Sequence, residues 1–341
     1  MPSPRSVPVR RALATAAAAG LLAAATAATA ACGSSAAGSG GRLAVVTTVA
    51  PLTNIAAVVG GDRVSVTGLV PEGQNSHTFE PPPSAAEVIS RADLILVNGL
   101  KLEDPTAELA EENKAGDAAV VAVGDRVLAP ADYIYDFSFP KKDGKPNPHL
   151  WTDPLLAIRY AEVIRDEYAK RDPDGKATYD ANLAAFAKAA TALSDAVRAA
   201  SASIPAERRG LLTYHDGFAY FARDYGWKVI GAIQPANFEE PSPREVAALI
   251  DQIRREKVPA IFGSEVFPST VLAQIGRSTG ARYVDTLRDD DLPGRPGDPG
   301  HSWWGLMRAD FTTMVTGLGG DAGALAALAD PALPDTARYP Q

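Results

Sequence analysis

Residues 43–70 read LAVVTTVAPLTNIAAVVGGDRVSVTGLV. Leu43 to Val49 is a near-continuous apolar run of the kind that a parallel strand buried on both faces shows. Leu52 to Val59 then reads as a short helix, and Val64 to Val70 as the next strand. Strand, helix and strand in succession make a parallel βα unit, and the rhythm continues on both sides of a helical middle. Beyond a Pro-rich loop, Ser84 to Arg91 is helical, Asp93 to Asn98 a strand, Leu102 to Glu112 helical and Ala118 to Val123 a fourth strand.

The middle changes character. Pro154 to Ala169 and Thr178 to Ser203 are long, alanine-rich and helical, broken around Asp172 to Gly175. In the second stretch Leu183, Phe186, Ala190, Leu193 and Val197 recur at three- or four-residue intervals, which gives one apolar stripe. Past Pro205 the alternation resumes: strands at Gly210 to Tyr214, Lys228 to Ile233, Ala260 to Ser264 and Arg282 to Thr286, with helices at Gly217 to Asp224, Pro243 to Glu256 and Thr270 to Thr279. The pattern predicts an α/β protein of two βα lobes, each around a mostly parallel sheet, joined by a long helix. Ligands of such folds bind between the lobes, at the carboxyl ends of the strands.

The N-terminus predicts export. Arg5, Arg10 and Arg11 form a cationic region ahead of the apolar stretch Ala12 to Ala31, and Cys32 is the only cysteine. Flanked by Ala30, Ala31 and Gly33, it resembles the acceptor of a bacterial lipoprotein signal, although Thr29 stands where such boxes usually carry leucine. The expected division is a signal peptide over 1–31, a lipidated flexible tether over 32–41, an N-terminal βα lobe over 42–172, a linking helix over 173–204, a C-terminal βα lobe over 205–330 and a tail over 331–341. A cysteine consumed by lipid leaves no disulfide and no thiolate ligand. The formal net charge of −8 argues against a nucleic-acid partner, whose phosphates would repel the chain.

The whole supply of histidine is four residues, each in its own loop: His77 in SHTFEP, His149 in PHLWTDP, His215 in YHDGF and His301 in GHSWW. Their separations give no local metal motif, so their case is positional. His215 directly follows an apolar strand and precedes a helix, which aims it into the cleft.

Taken together these segments resemble a known family, the extracytoplasmic solute-binding proteins of zinc and manganese ABC importers, or TroA-like receptors. Thr47 to Ile55 resembles the family's opening strand and helix. His77, Glu80 and Pro81 match its first ligand loop, and Asn147 to Pro154 its Pro-His-x-Trp-x-Asp-Pro segment. Tyr214 to Trp227 is similar to the third ligand segment, and Gly300 to Asp310 to a segment in which His301 takes the place of an aspartate ligand. The resemblance spans roughly residues 43 to 320. It implies a metal shell of His77, His149, His215 and His301, with Asp298 and Asp285 as alternatives for the fourth position. No histidine-rich insertion lies between Val127 and Pro148, unlike many zinc members.

Four imidazoles suit tetrahedral Zn²⁺, whereas Mn²⁺ favours carboxylate oxygen. The expected function is capture of a divalent cation, Zn²⁺ first and Mn²⁺ as alternative cargo, for an ABC permease, by a receptor held outside the cytoplasm on the cell membrane through lipid at Cys32. Glu80, Asp153, Asp216 and Glu265 are candidates to orient the imidazoles. A shell closed by protein leaves no position for a reacting water, so no enzyme is expected. Two other classes are weighed: a siderophore or cobalamin receptor using Trp151, Trp303 and Trp304, and a zinc hydrolase with Glu265 as base, for which no His-Glu-x-x-His motif is present.

Overall fold

The computed structural model describes residues 41–234, 241–264, 269–288 and 290–340. The expected signal peptide, Cys32 and Glu265 lie outside the described residues. In the N-terminal lobe β1 (Leu43–Thr47), β2 (Val64–Gly68), β3 (Leu94–Val97) and β4 (Ala119–Ala122) form a parallel sheet in the order β2-β1-β3-β4. Helices α1 (Ala50–Gly60), α2 (Ala85–Ile89) and α3 (Asp104–Asn113) make the crossovers. Side chains of the strands divide by alternation. Val45, Val66, Leu94 and Leu96 join the large core with α1, while Val46, Ile95 and Val97 turn to the other face with Ile89 and Ala110.

Every residue of α1 is buried, because α4 (Pro154–Arg171) and α5 (Lys176–Ala202) close over it. Asp153 caps α4, its Oδ1 accepting from Leu155 N at 2.7 Å and Leu156 N at 3.3 Å. With 27 residues, α5 spans roughly 40 Å. Its stripe of Phe186, Ala190, Leu193 and Val197 is buried.

The C-terminal lobe contains β5 (Gly210–Thr213), α6 (Ala219–Tyr225), β6 (Lys228–Ala232), α7 (Pro243–Glu256), β7 (Ala260–Ser264), α8 (Thr270–Thr279) and β8 (Arg282–Leu287). The strands pair in parallel as β5 with β6 and β7 with β8, with β5 beside β7. A capping box of Ser242 and Glu245 opens α7. Two helices follow, α9 (Trp303–Gly317) and α10 (Gly323–Ala326). One continuous apolar cluster runs from Val45 through Tyr168 and Phe186 to Phe262 and Phe311, so the lobes share a core with the paired helices. The final residues return to the N-terminal lobe: Arg338 N donates to Val66 O at 3.0 Å, and Gly68 N to Arg338 O at 2.9 Å, beside the β2 edge.

Candidate metal centre

Four segments, each following the carboxyl end of a strand, meet between the lobes. His77 comes from the loop after β2, His149 from the loop after β4, His215 from the turn after β5 and Asp290 from the stretch after β8. Such strand ends are where α/β folds gather ligand groups. Each offers one ligand atom, and these four atoms lie within 4.8 Å of one another. Nε2 of His149 is 3.0 Å from Nε2 of His77 and 3.2 Å from Nε2 of His215. Nitrogens held tetrahedrally at about 2.0 to 2.1 Å from one ion would be roughly 3.3 Å apart, close to both separations. His215 Nε2 is 3.9 Å from Asp290 Oδ1.

Local hydrogen bonds set these positions. Asn75 Oδ1 accepts from His77 N at 2.9 Å, an Asx turn that fixes the imidazole's entry angle. Asn147 does more. Its Oδ1 accepts from His149 N at 3.1 Å and from the ring Nδ1 at 2.8 Å. With its proton on Nδ1, the ring must present the Nε2 lone pair to the centre. Asn147 Nδ2 also donates to Asp216 O at 2.9 Å, and Thr152 Oγ1 to Gly217 O at 2.9 Å, which tie the His149 loop to the His215 turn. A Cβ at Gly217 would be 3.3 Å from His215 Nε2, so a side chain there would press on the imidazole. Ser76 Oγ donates to Asp290 Oδ2 at 2.8 Å. Phe139 packs 5.9 Å from the rings of both His77 and His149, over their outer side.

Burial, with the charge of His215 adding to it, holds the imidazoles of His77 and His149 well below the ordinary histidine range. They are neutral at neutral pH, with lone pairs available to a cation. Asp216, next to His215, is pushed up to about 8 by burial and by the neighbouring Asp136, so it adds little negative charge at neutral pH.

Of the four histidines expected to converge, the structure brings together three. His301 is held elsewhere: its Nε2 is 2.7 Å from Glu72 Oε1, and its ring meets Tyr339 edge-on at 4.7 Å. The reason is that its segment folds down onto α1, where Trp303 N donates to Asn54 Oδ1 at 2.9 Å. Neither alternative oxygen arrives. Asp285 lies within β8, and Asp298 Oδ2 accepts from Arg295 N within its own turn. Asp290 is the acid that reaches the imidazoles, and its signal was its place just past a strand's carboxyl end. Among the candidate orienting groups Glu80 is exposed and Asp153 caps α4; the orienting side chain is Asn147. Trp151, Trp303 and Trp304 are buried in the core rather than lining a ligand platform.

Comparison with known proteins agrees with this architecture. Residues 45–317 match the family described as zinc-uptake complex component A, periplasmic. The chain is similar to the iron-binding protein YfeA of Yersinia pestis, with 33% identity over 82% of this chain and 87% of that one. It is likewise similar to the manganese-binding lipoprotein MntA of Halalkalibacterium halodurans, with 29% identity over 81% of this chain and 88% of that one. Among solved structures, the periplasmic zinc-binding protein TroA of Treponema pallidum superposes with a TM-score of 0.74 at 26% identity, covering 82% of this chain and 99% of that one. The matched span contains His77, His149, His215 and Asp290, and the chain belongs to the periplasmic zinc-uptake component A family of metal receptors.

Proposed function

We propose that this chain captures one divalent transition-metal cation between its lobes and presents it to an ABC permease, with His77, His149, His215 and Asp290 as ligands. The observation that carries the reading is the convergence of three Nε2 atoms and a carboxylate, one of the imidazoles having its tautomer set by Asn147. Binding proteins for iron, manganese and zinc among its relatives support a cation of this class as cargo.

Three imidazoles and one carboxylate form a complete tetrahedral set for Zn²⁺. The carboxylate also makes the site more hospitable to Mn²⁺ than four imidazoles would be, while the order of affinities for such donors still places Zn²⁺ above Mn²⁺. Zn²⁺ is therefore the tighter ligand, and Mn²⁺ a weaker one at the same position. The receptor reading further places the protein outside the cytoplasm, held to the membrane by lipid on Cys32, with the glycine- and serine-rich residues 33–41 keeping it near its permease.

Calorimetric titration of the purified receptor with Mn²⁺ and then with Zn²⁺ tests this. One Zn²⁺ per molecule, with Mn²⁺ displaced by it, is the expected result. Absence of binding by either ion at neutral pH would overturn the receptor reading.

A further inference from the structure

The fourth histidine has a partner of its own. His301 has only 1% of its side chain exposed, and its Nε2 must carry the proton it donates to Glu72 Oε1 at 2.7 Å. Among the described residues Nδ1 of that ring has no hydrogen-bond partner, and the ring's polar link there runs to Glu72. Glu72 belongs to the loop between β2 and α2 that supplies His77. His301 ends the stretch between β8 and α9 that supplies Asp290.

The same two stretches meet at two further points. Gly73 N donates to Oδ1 and Oδ2 of Asp291 at 3.1 and 3.2 Å, and Ser76 Oγ donates to Asp290 Oδ2 at 2.8 Å. Loop 71–77 of the N-terminal lobe and the stretch 288–302 of the C-terminal lobe are thus laced together along their length. The lacing holds the carboxylate of Asp290 against the three imidazoles.

We propose that Glu72 and His301 are positioning residues, a clasp between the lobes that keeps the Asp290 stretch closed on the cation and limits the rate at which the cation leaves. This inference rests on the receptor reading. Asn147 and Thr152 bridge the His149 loop to the His215 turn, and an Asx turn fixes His77 within its own loop. On the side of its own lobe the Asp290 stretch is tied by Arg288 N, which donates to Asp310 Oδ1 at 3.0 Å, and beyond it residues 290–302 contain no helix or strand. Withdrawal of Asp290 is then the natural first step of release, and it requires the lacing to open. All three links of the lacing end on a carboxylate, and hydrogen bonds to an ionised acceptor are stronger than those between neutral groups. A cavity of about 300 Å³ beside His301, lined by Asp298, Trp304, Asp335 and Tyr339, gives the ring room to swing away from Glu72.

The test loads purified receptor with Zn²⁺ alone and mixes it rapidly with an excess of a chromophoric chelator. Wild type, E72A, H301A, the double variant E72A/H301A and E72Q are compared, together with the melting midpoint of each without metal. Each single alanine variant is expected to release Zn²⁺ about tenfold faster, with association changed by less than about twofold. The double variant should be no faster than the quicker single, because one link is broken in all three. E72Q, which keeps an acceptor, should fall between wild type and E72A. Wild-type release rates in both single variants would overturn the clasp, as would effects that multiply in the double variant. A lower melting midpoint at unchanged release rate would also overturn it, by showing the pair to be structural alone. Failure of the wild type itself to take up Zn²⁺ would instead overturn the receptor reading.

Discussion

At the scale of single residues, the centre depends on which nitrogen of each ring carries a proton. Asn147 settles this for His149, and its loss frees the ring to rotate or to change tautomer. Asn147→Ala is expected to weaken Zn²⁺ binding by about 10- to 100-fold, the usual range for a group that orients a ligand, and competition with a chelator of known affinity measures it. Asp290→Asn removes the only anionic donor of the set. It should weaken Mn²⁺ by a larger factor than Zn²⁺, since the harder ion relies more on carboxylate oxygen, and paired titrations check the ratio. The four histidine-bearing loops were legible in the sequence because each follows an apolar strand or a proline turn. The exchange of His301 for Asp290 was not. Asp290 sits in a run of three aspartates just past the end of β8, and that position alone does not tell which of the three turns to the site.

At the scale of elements, the strands were the easiest to read. β1, β3 and β7 are apolar at nearly every position because helices cover both faces of their sheets. The turn after β3 was illegible, and it carries unusual backbone. Gly99, Leu100 and Lys101 all have positive φ, at 81°, 56° and 65°, a costly arrangement for the two residues with side chains. Glu103 holds that turn. Buried at 2% exposure, it accepts from Asn98 N at 2.5 Å, Gly99 N at 3.3 Å and Thr48 Oγ1 at 2.6 Å. Burial pushes its carboxyl up to about 7, against the pull of those donors. Glu103→Ala would leave the buried donors of Asn98 and Thr48 and the half-buried one of Gly99 without their acceptor, so a loss of about 3 kcal/mol is expected in urea unfolding. Helix α9 is also hard to read from sequence, because two tryptophans and a glycine open it and the β-branched residues Thr312, Thr313, Val315 and Thr316 crowd its later turns.

At the scale of the whole molecule, the continuous core through α4 and α5 joins the lobes as one packed body. Large hinge opening would expose much of that core, so release by local movement around the site is the cheaper course. Proton linkage acts at this scale too. His77 and His149 have native pKa values below their ordinary 6.5, so between those values the unfolded chain binds more protons than the native one. Their contribution to stability is therefore complete above about pH 6.5 and is lost as pH falls below it toward the native values. Metal-free receptor should show a melting midpoint that declines with acidification through that window, and His77→Gln/His149→Gln should flatten the decline. Bound metal should delay the loss until protons displace it from the imidazoles.

Capture of the cation depends on which four groups donate to it. Anomalous diffraction at the zinc edge from crystals of the Zn²⁺-loaded receptor tests their identity most directly. One strong peak is expected at about 2.0 to 2.1 Å from Nε2 of His77, His149 and His215 and near a carboxylate oxygen of Asp290, with none beside His301. A peak at His301, or one that leaves any of the three converging imidazoles out of reach, would contradict it.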